Sequence, residues 1–251
     1  MKVEGNYPLN NFTHLCENKI NYRDRLGEIA YPIMEEIKYC GIANTLYFSK
    51  PIDPTMAWAT SFSINVCPLF VINLSEVPLE IRPHGWDDPR LCNLDFLQKF
   101  SDWIAENCNI PKQQVTFIEA AAAKTILKIK QDPHGIKALR AGIVHELGHV
   151  ALGHCSPSCK KSSKEMEKEA DIYAVKNLHD GLEGIKIGFD AWKKSLQAVR
   201  SDSSFSLLTR IFMRVLITPG GNLLPLYFSH GFFETRIKQA EEALAMWRTP
   251  E

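Results

Sequence analysis

Apolar and polar positions follow two different periods along this chain, and each period predicts a different element. From Pro54 to Ser75 there is no charged residue. Apolar side chains fall mostly at even positions there (Met56, Trp58, Phe62, Ile64, Val66, Phe70, Ile72, Leu74), with Ser61, Ser63, Asn65 and Asn73 between them. A period of two sends successive side chains to opposite faces, so 56–74 predicts two strands of a sheet rather than a membrane helix, with Pro68 marking a turn.

Elsewhere apolar residues recur every three or four positions, the spacing of a helix face. This predicts helices over 22–40, 94–108, part of 112–130, 163–178, 189–199 and 233–247, and a short strand over 45–48. The run 207–217 is apolar but interrupted by Arg210 and Arg214, which predicts a core helix. Residues 80–93, rich in Pro, Gly and Asp, predict a loop, 201–204 a polar break, and Pro219-Gly220-Gly221 a turn. Asp132-Pro133 predicts a helix start, because Asp can cap and Pro suits the first helical position. The pattern is that of an α+β chain, mostly helical with a small sheet.

The helix after Pro133 carries Val144-His145-Glu146-Leu147-Gly148-His149. Residues four apart share a helix face, so His145 and His149 can hold one zinc ion between them, and Glu146 can reach a water beside it. Ile136, Leu139, Ile143, Leu147 and Val150 form a core stripe along this helix. The opposite side carries Ala138, Ala141, Gly148 and the two histidines, with Leu152 its one large residue, as expected of a helix beneath a cleft. A catalytic zinc takes three protein ligands and keeps one position open. Glu167 and Asp171, four apart on the next helix, offer a third ligand and an acceptor for the far ring N–H of a ligand histidine. Glu165 and Glu169 read as an ordinary charged helix face.

Composition narrows the setting. The chain has 251 residues, 45% hydrophobic and 23% charged, with 29 basic and 29 acidic side chains. That balance gives no sign of a nucleic-acid groove or a polybasic membrane patch. Seven scattered cysteines suit reduced thiols in a cytoplasmic setting, and no apolar stretch follows the first basic residue as in a signal peptide. Cys155 and Cys159 read as part of a plain connection. His154, about 140° from His149 on a continuous helix, reads as packing or capping near the helix end. His84, His134 and His179 read as surface residues.

Three segments together carry a resemblance: H-E-L-G-H-V-A-L-G-H at 145–154, E-K-E-A-D at 167–171 and S-H-G-F-F-E-T-R-I at 229–237. In this order they resemble the HtpX-like and CaaX-prenyl-protease-like zinc metallopeptidases, the gluzincins of metallopeptidase family forty-eight. The resemblance covers roughly the second half of the chain. It implies a zincin-like fold in a single metallopeptidase domain over 1–251, with 132–247 as the catalytic core and 1–50 carrying no assignment. It also implies a zinc-dependent endopeptidase acting on a peptide or protein. His145, His149 and Glu167 would be the zinc ligands, Glu146 the base and Asp171 a support beneath the ligands. His230 would be an oxyanion donor, Arg236 would orient the carboxylates, and the strand within 56–74 would pair with an extended substrate. Gly231 stands where the family has Pro, the connection from His149 to Glu167 is short, and the membrane helices of the best-known members have no counterpart. Two other readings remain: a regulatory peptidase of the ImmA type, which shares H-E-x-x-H and an acidic helix after it, and a binding module that keeps zinc without proteolysis. The metzincin pattern is excluded, since Leu152 and Cys155 stand where it needs Gly and His.

Overall fold

A computed structural model describes residues 22–39, 45–48, 57–60, 63–108, 119–203, 207–217 and 231–248. Within them the chain is mostly helical: α1 (Tyr22–Glu36), α2 (Leu94–Asn107), α3 (Ala120–Gln131), α4 (Gly135–Ala151), α5 (Ser163–Asn177), α6 (Gly181–Ser201), α7 (Leu207–Leu216) and α8 (Phe233–Arg248). Strands β1 (Thr45–Phe48), β2 (Ala57–Ala59) and β3 (Ser63–Val66) form one sheet in the order β1-β3-β2. β1 runs parallel to β3, with Thr45 opposite Ser63, and β2 runs antiparallel to it, with Ala57 opposite Val66. Thr60 and Ser63 clasp the link between β2 and β3: the Thr60 N–H donates to the Ser63 carbonyl at 2.7 Å, and the Ser63 N–H donates to Thr60 Oγ1 at 3.1 Å.

The period-two stretch is resolved differently from expectation. Both of its strands precede Pro68. Beyond it the chain makes two 3-10 turns, Pro68–Phe70 and Leu74–Glu76, where a second strand was expected. Lys130 explains part of this: its ammonium donates to the carbonyls of Phe70 and Ile72 at 2.9 and 2.6 Å, occupying acceptors that a ladder would need. Phe70 and Ile72 are still buried, so the alternation reported core contact, not strand. On the central strand β3 even the polar members, Ser63 and Asn65, are buried.

α4 is the element on which α5, α6, α1 and the sheet all pack. Its core stripe holds at Leu139, Ile143 and Leu147, which are buried, whereas Ile136 is exposed. α4 begins at Gly135, two residues after Pro133. Asp132 closes α3 with its N–H and accepts the His134 N–H at 2.8 Å, so the predicted start is displaced. α6 begins well before the predicted 189. Its early turns are rich in glycine, which hides the helical period, and a Cβ on Gly184 would stand 2.2 Å from the Lys137 carbonyl. Glycine there lets α6 lie directly on α4.

One continuous cluster of buried side chains runs from Leu26 on α1 to Ala240 on α8. On α7, Leu208, Ile211, Phe212 and Val215 are exposed, so the helix expected in the core presents an apolar face to the surface, and just beyond it Ile217 is buried against Leu196 and Val199 of α6. No helix among the described residues is long and apolar enough to cross a membrane. The turn expected at 219–221, and His230, lie outside the described residues.

Candidate metal centre

The last turns of α4 and the second turn of α5 build the centre. α5 starts at a reciprocal cap, in which Ser162 Oγ accepts the Glu165 N–H and Glu165 Oε2 accepts the Ser162 N–H. Glu165 is therefore engaged at the helix end, as its sequence context suggested. α5 packs close because a Cβ on Gly148 would stand 3.1 Å from Tyr173 Cβ. This brings Glu167 and Asp171, one turn apart on α5, against His145 and His149, one turn apart on α4.

Among the described residues, His145, His149 and Glu167 form a group able to hold a metal ion, with one donor atom from each lying within 4.8 Å of the others. His145 Nε2 and His149 Nε2 are 3.1 Å apart, His145 Nε2 and Glu167 Oε2 3.3 Å, and His149 Nε2 and Glu167 Oε1 3.5 Å. Donors about 2.0–2.1 Å from a tetrahedral metal ion stand ~3.3–3.4 Å from one another, and the separations here are near that, with a different Glu167 oxygen facing each ring.

The charge balance points the same way. Arg236 on α8, buried to 8% exposure, donates from Nε and a terminal nitrogen to both oxygens of Asp171, at 2.7 and 2.8 Å, and lies 3.0 Å from Glu167 Oε2. One guanidinium thus serves two buried carboxylates, which leaves negative charge facing the imidazoles. Burial works against ionisation of Asp171, but Arg236 and His145 outweigh it and hold the pKa below the usual carboxylate range. The same contest at Glu167 is decided by His145, His149 and Arg236, with the carboxyl held far below its ordinary value. Burial favours neutral His145, yet the bonds to Asp171 and Glu167 lift its pKa to about 10. The carboxylates favour positive charge at the rings, which a proton on His145 or a bound metal ion would supply.

Glu146 is buried on the same turn of α4, and burial raises its pKa to about 7. His145 Nδ1 lies 2.9 Å from Asp171 Oδ1, the contact expected of a support beneath a ligand.

His154 packs, buried, at the end of α4 as its position suggested, but its contact with Glu169, which read as part of an ordinary charged face, was not foreseen. α4 ends at Ala151, and Gly153, with φ of 70°, turns the chain back, so the rotation expected of a continuous helix does not apply. The His154 ring is returned to His149, Nδ1 to Nδ1 at 3.0 Å, while its Nε2 lies 2.8 Å from Glu169 Oε2. Glu169 also takes a 2.6 Å bond from Lys161. Burial lowers the His154 pKa, partly offset by Glu169, so the ring is held neutral. The one sequence signal was the Gly153-His154 pair at the helix end, where glycine ends helices in a left-handed turn. His84, His134 and His179 are exposed and stand apart from the centre, and Cys155 and Cys159 form no disulfide.

The centre opens into a cleft of about 370 Å³. Beside the metal-site residues, β2 contributes Ala57 and Ala59, α4 contributes Ala138, Ala141 and Gly142, and α6 contributes Gly184, Gly188, Phe189 and Trp192. Phe189 stacks on Phe233 at 4.8 Å between ring centres, and the Arg236 guanidinium lies 4.8 Å over the Phe189 ring, which ties the aromatic wall to the ion pairs below it. Comparison of the chain with protein-family models, with curated proteins and with solved structures returns no match.

Proposed function

We propose that the chain is a zinc-dependent peptidase with a zincin-like fold, as its resemblance to the HtpX-like gluzincins implies. The observation that carries this reading is the convergence of His145, His149 and Glu167 at tetrahedral spacing, with buried Glu146 beside them at the head of a cleft. Zinc held there supplies Lewis-acid polarisation of a carbonyl and acidification of a water.

The chain's own residues carry the remaining steps. Glu146, with a pKa near neutrality, takes a proton from the attacking water and returns it to the leaving amine. Asp171 and Arg236 fix the His145 ring and the Glu167 carboxylate, so the ligands need no rearrangement on binding. β2 borders the cleft at the end of the sheet order, where an extended peptide can add as a further strand. The resemblance assigns His230 to the developing oxyanion. The cleft wall from α4 and α6 is mostly small and aromatic, which suits an apolar side chain of the peptide.

The test is hydrolysis of a fluorogenic peptide library by the purified zinc-loaded chain and by Glu146→Gln. Cleavage by the parent chain and a loss of at least about 100-fold in the variant are expected. Zinc binding with no cleavage of any peptide would favour a binding module instead.

A further inference from the structure

The two ligand histidines are supported in opposite ways. His145 leans on Asp171, a carboxylate buried to 2% exposure and locked by Arg236. His149 leans on another imidazole, His154, whose far side meets Glu169, and Glu169 in turn reaches Lys161 at the surface. A neutral imidazole offers one donor and one acceptor, so a pair of rings meeting nitrogen to nitrogen must agree on which carries the proton.

Only one agreement leaves His149 able to bind a metal. Glu169 Oε2 accepts from the Lys161 ammonium at 2.6 Å and lies 2.8 Å from His154 Nε2, so it stands toward that ring as an acceptor. His154 must therefore turn an Nε2–H toward Glu169, which leaves its Nδ1 as a lone pair. That lone pair accepts the Nδ1–H of His149 and frees His149 Nε2 as a lone pair facing His145 Nε2 and Glu167. With the protons reversed, His154 Nε2 would present a lone pair to a carboxylate. His149 would then carry its hydrogen on Nε2, in the 3.1 Å gap between the two ligand rings. The reversed arrangement sets a lone pair against the Glu169 carboxylate and takes from His149 Nε2 the lone pair that a metal needs.

Resting on the metal-centre reading above, we propose that His154 and Glu169 are a positioning pair that sets the tautomer and ring direction of His149, so that the affinity of the centre is governed through a carboxylate at the protein surface. The buried Asp171–Arg236 pair does the corresponding work for His145, with no route to solvent of this kind.

The test uses the full chain with His154→Leu, His154→Gln and Glu169→Leu. The first reading is the zinc dissociation constant, from competition with a chelating dye. Leu cannot accept the His149 N–H, and about a 10–100-fold weakening is expected, the usual consequence of losing a partner beneath a metal ligand. The Gln side-chain oxygen can accept it, and affinity within a few fold of the parent is expected. Equal weakening in Leu and Gln, or none in Leu, overturns the proposal. Should His154→Leu fail to fold, Glu169→Leu alters only a surface-facing residue, and an unchanged zinc affinity there overturns the proposal equally. The second reading is the nitrogen-15 imidazole spectrum of the metal-free chain, which reports the His149 tautomer whether or not zinc binds. A proton on Nδ1, lost as the single form in His154→Leu, supports the pair, and a proton on Nε2 in the parent chain overturns it. A parent chain that binds no zinc but shows the Nδ1–H form would sink the metal-centre reading and leave the positioning pair standing.

Discussion

Arg236 grips Asp171 through two hydrogen bonds of 2.7 and 2.8 Å, joining the last described helix to the third turn of α5 directly beneath the His145 ring. Because Arg236 is also 3.0 Å from Glu167, removing it leaves two buried carboxylates without their guanidinium. Breaking a buried pair from one side costs about 3–5 kcal/mol. Arg236→Met should lose about that much in urea unfolding of the metal-free chain. Arg236→Lys should recover only part, since an ammonium cannot reproduce the planar fork. A loss under about 1 kcal/mol for Arg236→Met would show that the cluster is not held by this residue.

Much of the centre was legible because helix geometry is local. His145 and His149, and Glu167 and Asp171, are pairs four apart, and that spacing alone placed each pair on one face. What the sequence could not show was where a helix stops. His154 packs at the helix end as its position suggested, but its return to His149 follows from the turn at Gly153, and the Glu169 contact that this brings was unseen. The strand expected beyond Pro68 failed for a related reason: a period of two records burial, while the carbonyls that decide strand pairing were taken by Lys130, far along the chain. α7 carried core-like residues, but Leu208, Ile211, Phe212 and Val215 are exposed where it lies beside α6.

Two glycines on α4 should respond oppositely to an added side chain. A Cβ on Gly148 meets the Tyr173 side chain at 3.1–3.2 Å, whereas one on Gly142 meets nothing within 4 Å. Gly142→Ala should stabilise the chain by about 0.5–1 kcal/mol through helix propensity. Gly148→Leu should cost about 1–3 kcal/mol by forcing α5 away, and should weaken metal binding because Glu167 moves with α5. Paired thermal melts and metal titrations read both, and a Gly148→Leu variant with undiminished stability would contradict the close packing described.

Acid stability should carry the signature of Asp88. Burial disfavours its charge, but Arg90 and the His84 and Arg90 N–H groups outweigh burial and lower the pKa to about 2, below the usual aspartate range. A depressed folded-state pKa means that the unfolded chain binds the proton first as pH falls. The stabilisation is therefore complete above pH ~4 and is lost as pH drops toward 2, by about 2 kcal/mol. Urea midpoints over pH 5 to 2 should fall more steeply in the parent chain than in Asp88→Asn, and parallel slopes would refute this assignment.

The cleft wall predicts a size preference. At Gly188 the nearest atom to an added Cβ is Ala138 Cβ at 3.8 Å, an ordinary contact, so a larger side chain there fills the cleft without striking backbone. Gly188→Leu should reduce kcat/KM for peptides with Phe or Leu beside the cut by about tenfold or more, while peptides with Ala there change little. A uniform change across the peptides would place the apolar side chain elsewhere.

The most direct measurement is metal content by mass spectrometry of the purified chain beside His145→Ala and Glu146→Gln, after equilibration with zinc and removal of excess. One zinc per chain is expected in the parent and in Glu146→Gln, and none in His145→Ala. Zinc retained in full by His145→Ala, or absent from the parent chain, would contradict the metal centre built by His145, His149 and Glu167.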